Sequence, residues 1–133
     1  MSKLKAQIKG EITVLRNGEI IFKESNTITA DALEILLRSM TGVITSDKVN
    51  TIKFTGAFGT VSKTVTAAVA NVGTTSVTYT TTATEADFNG TVTDLALNMS
   101  SINKNLAVKT GLTIIKDNLT RLEIQWKITL TIA

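Results

Sequence analysis

Cysteine, histidine and proline are all missing from this chain of 133 residues. Without cysteine there is no disulfide, no thiolate nucleophile and no thiolate metal site. Without histidine there is no imidazole base for Ser–His chemistry, and the commonest ligand of zinc, copper and iron is lost. Without proline no loop has a fixed φ. Aromatic residues make up 5% of the chain, one of them tryptophan, and no apolar run nears the 18 residues that span a bilayer. What chemistry remains would need carboxylates, lysine or a bound magnesium ion. The expectation is a protein that is not an enzyme and acts outside the membrane.

Charge points the same way. The formal net charge is +3, and basic residues are scattered except at Lys3, Lys5 and Lys9. That is too little clustering for strong phosphate-driven binding, so no specific nucleic acid is expected. Met1–Gln7 lacks the apolar stretch of a secretory leader. The expectation is therefore synthesis in a reducing cytoplasm. The N-x-S/T matches at Asn89, Asn98 and Asn118 are what chance produces in so threonine-rich a chain.

Threonine is what the chain has in excess, with 24 residues. It is β-branched and suits a pleated, half-exposed surface. The ending is the clearest element. Leu122, Ile124, Trp126, Ile128, Leu130 and Ile132 alternate with Arg121, Glu123, Gln125, Lys127, Thr129 and Thr131. That period predicts a long antiparallel strand with all six apolar side chains on its core face. Residues 5–16 and 19–23 read as strands, with Ile20 and Phe22 sharing a face. Asn17-Gly18 joins them as a hairpin turn whose two central residues need φ > 0.

The period then changes. Leu33, Leu36, Leu37 and Met40 are spaced i, i+3, i+4, i+7. This predicts one amphipathic helix over 29–41 with those four side chains on its buried face. Thr29 is the expected N-cap, Asp31 lies in the first turn, Arg38 lies in the last, and Gly42 is placed to end it. Further strands are expected at 51–55, 74–84, 91–99 (with Leu95, Leu97 and Met99 inward) and 105–115. A bend is expected at Gly111, and Lys116-Asp117-Asn118 reads as a turn. Residues 61–72 read as a loose strand or loop, with a helical turn possible at 66–70. Seven or eight strands, no internal repeat and no linker predict one all-β domain over 1–133: an antiparallel, jelly-roll-like β-sandwich plus one helix.

Few residues suggest a site. Glu85-Ala86-Asp87 with Asn89 could offer oxygens to calcium, but does not match an EF-hand loop. Asp94 lies within a strand and either faces outward or meets a cation across a subunit contact. Gly56-Ala57-Phe58-Gly59 reads as a turn whose aromatic caps the core, and lacks the spacing of a phosphate loop. Of the aromatics, Phe54 and Trp126 occupy core positions, so Phe58, Tyr79 and Phe88 are the ones available to display to a sugar. No catalytic, cofactor-binding or metal-ligating residue is assigned.

Three segments in register resemble a known family. Ser25–Leu37 is similar to the "N-x-(I/V)-T-x-x-G-L-x-x-(I/L)" helix start of small bacteriophage tail-appendage and virion accessory proteins. Glu85–Leu97 resembles their "E-A-N-G-T-I-T-E-x-G-L" strand. Leu106–Lys109 through Leu119–Leu130 resembles their closing "L-x-V-x-W-x-I-T-L" hairpin. Together these cover about three-quarters of the chain. There are departures: Ala32 stands where the family has glycine, and Ile52–Thr60 lacks the proline of the family's "A-L-G-T-G-T-x-A-P" stretch.

The resemblance implies a non-enzymatic structural protein of a bacteriophage-like virion. Its partners would be other virion proteins of the capsid or tail, and its state a homo-oligomer, with the trimer the first candidate. With the chain taken up by the sandwich, a tail- or fibre-associated adaptor or a capsid-decoration piece is expected rather than a fibre. The alternative carried from the residues is a small ligand-binding β-sandwich, such as a carbohydrate-binding module.

Overall fold

The computed structural model describes residues 6–41 and 47–132. Lys3, Lys5 and Gly42 lie outside them. The chain folds as β1 (Ala6–Arg16), β2 (Glu19–Ser25), β3 (Thr27–Ile28), α1 (Ala32–Thr41), β4 (Thr51–Gly56), β5 (Gly59–Thr64) and β6 (Ala67–Asn71). A 3-10 turn at Val72–Thr74 follows. The rest is β7 (Ser76–Ala83), β8 (Gly90–Met99), β9 (Lys104–Lys109), β10 (Ile114–Lys116) and β11 (Leu122–Ile132). One sheet has the order β2-β1-β11-β7-β6. The other runs β3-β9-β8-β4-β5, with β10 also paired to β8. All pairings are antiparallel, so the fold is an all-β sandwich with one helix.

The strand count exceeds the expected seven or eight for three reasons, the first being the unexpected two-residue β3. Residues 61–72 hold β5's end, β6 and the start of the 3-10 turn, which falls at 72–74 rather than at 66–70. The long strand expected at 105–115 splits at Gly111, whose φ of +70° turns the chain out of β9 before it re-enters as β10.

The Asn17-Gly18 turn forms as its residues predict, with φ of 50° and 86°. Asn17 also clamps this tip to the last strand: its N–H donates to the Arg121 carbonyl at 2.9 Å, and its Oδ1 accepts from the Arg121 N–H at 2.8 Å. Beside the turn, a bulge pairs Val14 with Phe22 but Leu15 with Ile20. The bulge resets the alternation. Ile21 and Phe22 both reach the core, and Ile20 is left exposed, so Ile20 and Phe22 do not share a face.

The two sheets enclose one apolar core. Ile12, Val14, Ile124 and Trp126 from the first sheet meet Ile52, Phe54, Leu95, Leu97 and Leu106 from the second. Leu95, Leu97 and Met99 are inward as the alternation predicts. On β11, Leu122, Ile124, Trp126 and Ile128 are buried, but Leu130 and Ile132 are exposed. Leu130 lines an open cleft shared with Ile35 and Leu36 of the helix, and Ile132, the strand's last residue, is left more exposed still.

The buried Trp126 indole donates from Nε1 to Asn26 Oδ1 at 3.2 Å. Gly10 makes room for that acceptor: a Cβ there would lie 2.1 Å from Asn26 Oδ1. Asn26→Ala would leave the indole N–H without a partner. The expected cost is about 1–3 kcal/mol, seen as a lower urea midpoint by Trp126 fluorescence, with Asn26→Asp recovering much of it.

Candidate contact surface

The aromatics available to a sugar are spent elsewhere. Phe88 is buried; it stacks on Phe58 at 4.4 Å between ring centroids and packs against Phe54 at 5.3 Å. Phe58 sits in the tight β4–β5 turn and caps the core, as the glycine-flanked motif predicts. Tyr79 lies on the core side of β7, and burial pushes its phenol above the usual range. Phe58, Tyr79 and Phe88 therefore form no displayed platform.

The acidic loop is likewise engaged. Asp87 accepts from the Thr84 N–H at 2.6 Å, the Thr84 hydroxyl at 3.1 Å and Lys63 Nζ at 2.9 Å. Glu85 pairs instead with Arg121 at 3.7 Å. Among the described residues no group of three acidic side chains converges as a cation site. Asp94 is half-exposed, and its carboxylate accepts from the Thr93 hydroxyl at 2.9 Å.

For Asp87, burial pushes the carboxyl up, but the hydrogen bonds from Lys63 and Thr84 outweigh it and hold the group below the usual carboxylate range. A carboxyl lowered on folding adds stability above its unfolded pKa and gives it up as pH falls through the folded one. Asp87→Asn should therefore lower the urea midpoint at neutral pH. The gap to the parent should close as pH drops through and below the ordinary carboxylate range, in denaturation curves taken from pH 7 to pH 2.

The helix departs most from expectation. Its buried side chains are Ala32 and Ile35, while Leu33, Leu37 and Met40 are 67%, 55% and 80% exposed. Ion pairs flank that buried face. Lys104 Nζ on β9 meets Glu34 at 2.5 Å and Asp31 at 3.9 Å, and Arg38 meets Glu34 at 3.8 Å and Asp47 at 3.6 Å. The hydrogen bond from Lys104 holds the Glu34 carboxyl below its usual range. Thr29 is not a side-chain cap. Its hydroxyl donates to the Asn105 carbonyl, and its own carbonyl accepts from the Ala32 N–H. With the Glu34–Arg38 arc drawn to β9 and Asp47, helical geometry sends Leu33, Leu37 and Met40 to the opposite flank.

Beside that flank the sandwich is open. A cleft of about 390 Å³ runs between Ile35 and Leu36 of the helix and Val77, Tyr79, Ile128 and Leu130 of the first sheet, and reaches Val72 past the end of β6. Leu36 on its wall neighbours Leu33 and Met40 by i−3 and i+4 spacing, so the exposed stripe continues the cleft outward. Val72, at 88% exposure, forms the other lip. Contiguous apolar surface of this kind marks places where something else binds. No helix among the described residues is long and apolar enough to cross a membrane.

Comparison with protein-family models, with curated proteins and with solved structures finds no match to this chain. The resemblance to virion accessory proteins thus rests on the three segments quoted above. The mouth of the sandwich was not legible as a site beforehand, because the sequence signal at the helix was its apolar stripe, and that stripe reads equally well as a core face.

Proposed function

We propose that this chain is a non-enzymatic structural protein of a bacteriophage-like virion, a tail- or fibre-associated adaptor or a capsid-decoration piece that works by protein–protein contact. The observation that carries this reading is the apolar mouth: the Leu33–Leu37–Met40 stripe, the adjoining cleft and the Val72 lip lie exposed on a sandwich whose Glu85, Asp87, Phe58 and Phe88 are engaged with one another or with neighbouring side chains. An apolar contact face with few charges is what an assembly component presents to its neighbours. The three-segment resemblance and the absence of cysteine and histidine agree with it. The carbohydrate-binding alternative loses its aromatic platform to the core.

The test is to raise an antibody to the chain and probe particles purified by density gradient from its source. Recovery in the particle band at a fixed copy number per particle is expected. A chain abundant in the cell and absent from that band would overturn the reading.

A further inference from the structure

Among the described residues the sheets present five edge strands, β2 and β6 in the first and β3, β5 and the three-residue β10 in the second, and all but β6 are blunted against further pairing. β2 carries Glu19, Lys23 and Glu24 and has the bulge beside Val14. β3 is two residues long. β5 carries Lys63, paired to Asp87. Charge, bulges and short length are the ordinary protections of a sheet edge.

β6 has none of them. It reads Ala67-Ala68-Val69-Ala70-Asn71, and all five residues are exposed. Its ladder to β7 runs without a bulge from Ala67↔Thr80 to Asn71↔Ser76, so its outward row of N–H and C=O groups is regular and unpaired by β7.

We infer that β6 is the contact through which two copies of this chain associate, pairing antiparallel with itself about a two-fold axis near Val69. Both first sheets would join into one ten-stranded sheet. This deepens the assembly reading above by naming a contact, and it rests on that reading for the choice of a second copy as partner.

Two observations favour a copy over an unlike strand. An antiparallel edge is complementary to itself, which is what a two-fold contact requires. The strand is also electrically neutral. In the centred register Val69 meets Val69, Ala68 meets Ala70 and Ala67 meets Asn71, with no like charges opposed. A five-residue ladder covers less than the roughly 800 Å² per partner of a stable dimer. Part of the remainder is at hand, since Ala70, Asn71 and Val72 border the apolar cleft. The pairing is therefore weak between free copies and strengthened where an assembly holds many copies together.

The experiment is sedimentation of the whole chain up to about 0.5 mM, where contacts of micromolar strength are saturated, with amide hydrogen exchange at low and high concentration. The expected result is a mass rising toward twice the monomer value, with exchange at 67–71 slowing several-fold as it does. Val69→Lys places two ammonium groups across the axis. It should hold the chain monomeric while leaving the melting curve unchanged, since Val69 is 62% exposed.

A parent chain that stays monomeric throughout overturns the inference. So does a dimer indifferent to Val69→Lys, or protection that appears at Leu33–Met40 instead of β6. None of these bears on whether the chain is found in purified particles, so the two readings fail separately.

Discussion

Gly56→Ala is expected to destabilise the fold by about 2–4 kcal/mol, from overpacking and lost aromatic stacking together. Gly56 ends β4 where the ladder to β8 shifts register, pairing with Val92 just after Thr55 pairs with Asp94. A Cβ there would lie 2.2 Å from the Thr91 backbone oxygen and 2.7 Å from Phe58 Cε1. The first contact is with backbone inside a sheet, which yields only if β4 and β8 part. The second yields only if Phe58 leaves Phe88, on which it stacks at 4.4 Å. Both movements disturb the same corner, because Phe88 also packs on Phe54, a side chain with no exposed surface. Urea denaturation followed by Trp126 fluorescence reads the loss. A midpoint within experimental error of the parent would mean that the β4–β8 corner relaxes freely, against the packing described here.

How much of this could be read in advance depends on whether the deciding interaction is local. The Asn17-Gly18 hairpin was legible because the turn chemistry belongs to those two residues. The alternation of Leu122 to Ile128 was legible because a pleated strand imposes it directly. The helix was legible as a helix but not in its orientation. Six of its ten residues, Ala32, Leu33, Ile35, Leu36, Leu37 and Met40, are apolar, so more than one face could have been buried. The stripe at ideal spacing lost to the face of Ala32 and Ile35, beside which Glu34 and Arg38 are tied to Lys104 and Asp47, 63 and six residues past the helix's last residue. The exposed end of β11 was hidden for a related reason: Leu130 and Ile132 keep the alternation past Ile128, where the strand leaves the closed core and Leu130 lines the open cleft.

The contact surface was the least legible part. That β6 is an edge follows from strand order, and that it is an unprotected edge follows from comparing it with β2, β3 and β5. Neither fact exists in any window of sequence. Locally, residues 61–72 are mostly valine, threonine and alanine, with no glycine or proline to punctuate them. The turn at Val65-Thr66 is set instead by distant partners: the Val65 N–H donates to Asn50 O and the Thr66 N–H to Thr80 O, each at 2.8 Å.

Lys116→Ala is expected to cost about 3–5 kcal/mol, and here a side chain that reads as surface proves to be core. Lys116 closes β10 rather than opening a turn. Alternation with the exposed Ile115 carries it inward beside Ile114, and it is 1% exposed. Its ammonium group donates to the Phe88 carbonyl at 2.7 Å and more weakly to those of Asp117 at 3.4 Å and Glu85 at 3.5 Å, and it lies 4.9 Å from the centroid of the Phe88 ring. No carboxylate lies within ion-pair distance of it among the described residues. The lysine thus acts as a bolt of hydrogen bonds through the 85–88 loop, which carries both the buried Phe88 and the capped Asp87.

Truncation to alanine removes the stem's packing and leaves the Phe88 carbonyl without its donor. Lys116→Met keeps most of the stem and loses only the donors, so it should cost about 1–3 kcal/mol, the penalty of an orphaned buried acceptor. The ordering parent, Met, Ala in urea midpoint is the expected result. A Met variant equal to or more stable than the parent would show that desolvating the ammonium costs as much as its three hydrogen bonds return, and the loop would then be held by Phe88 packing alone.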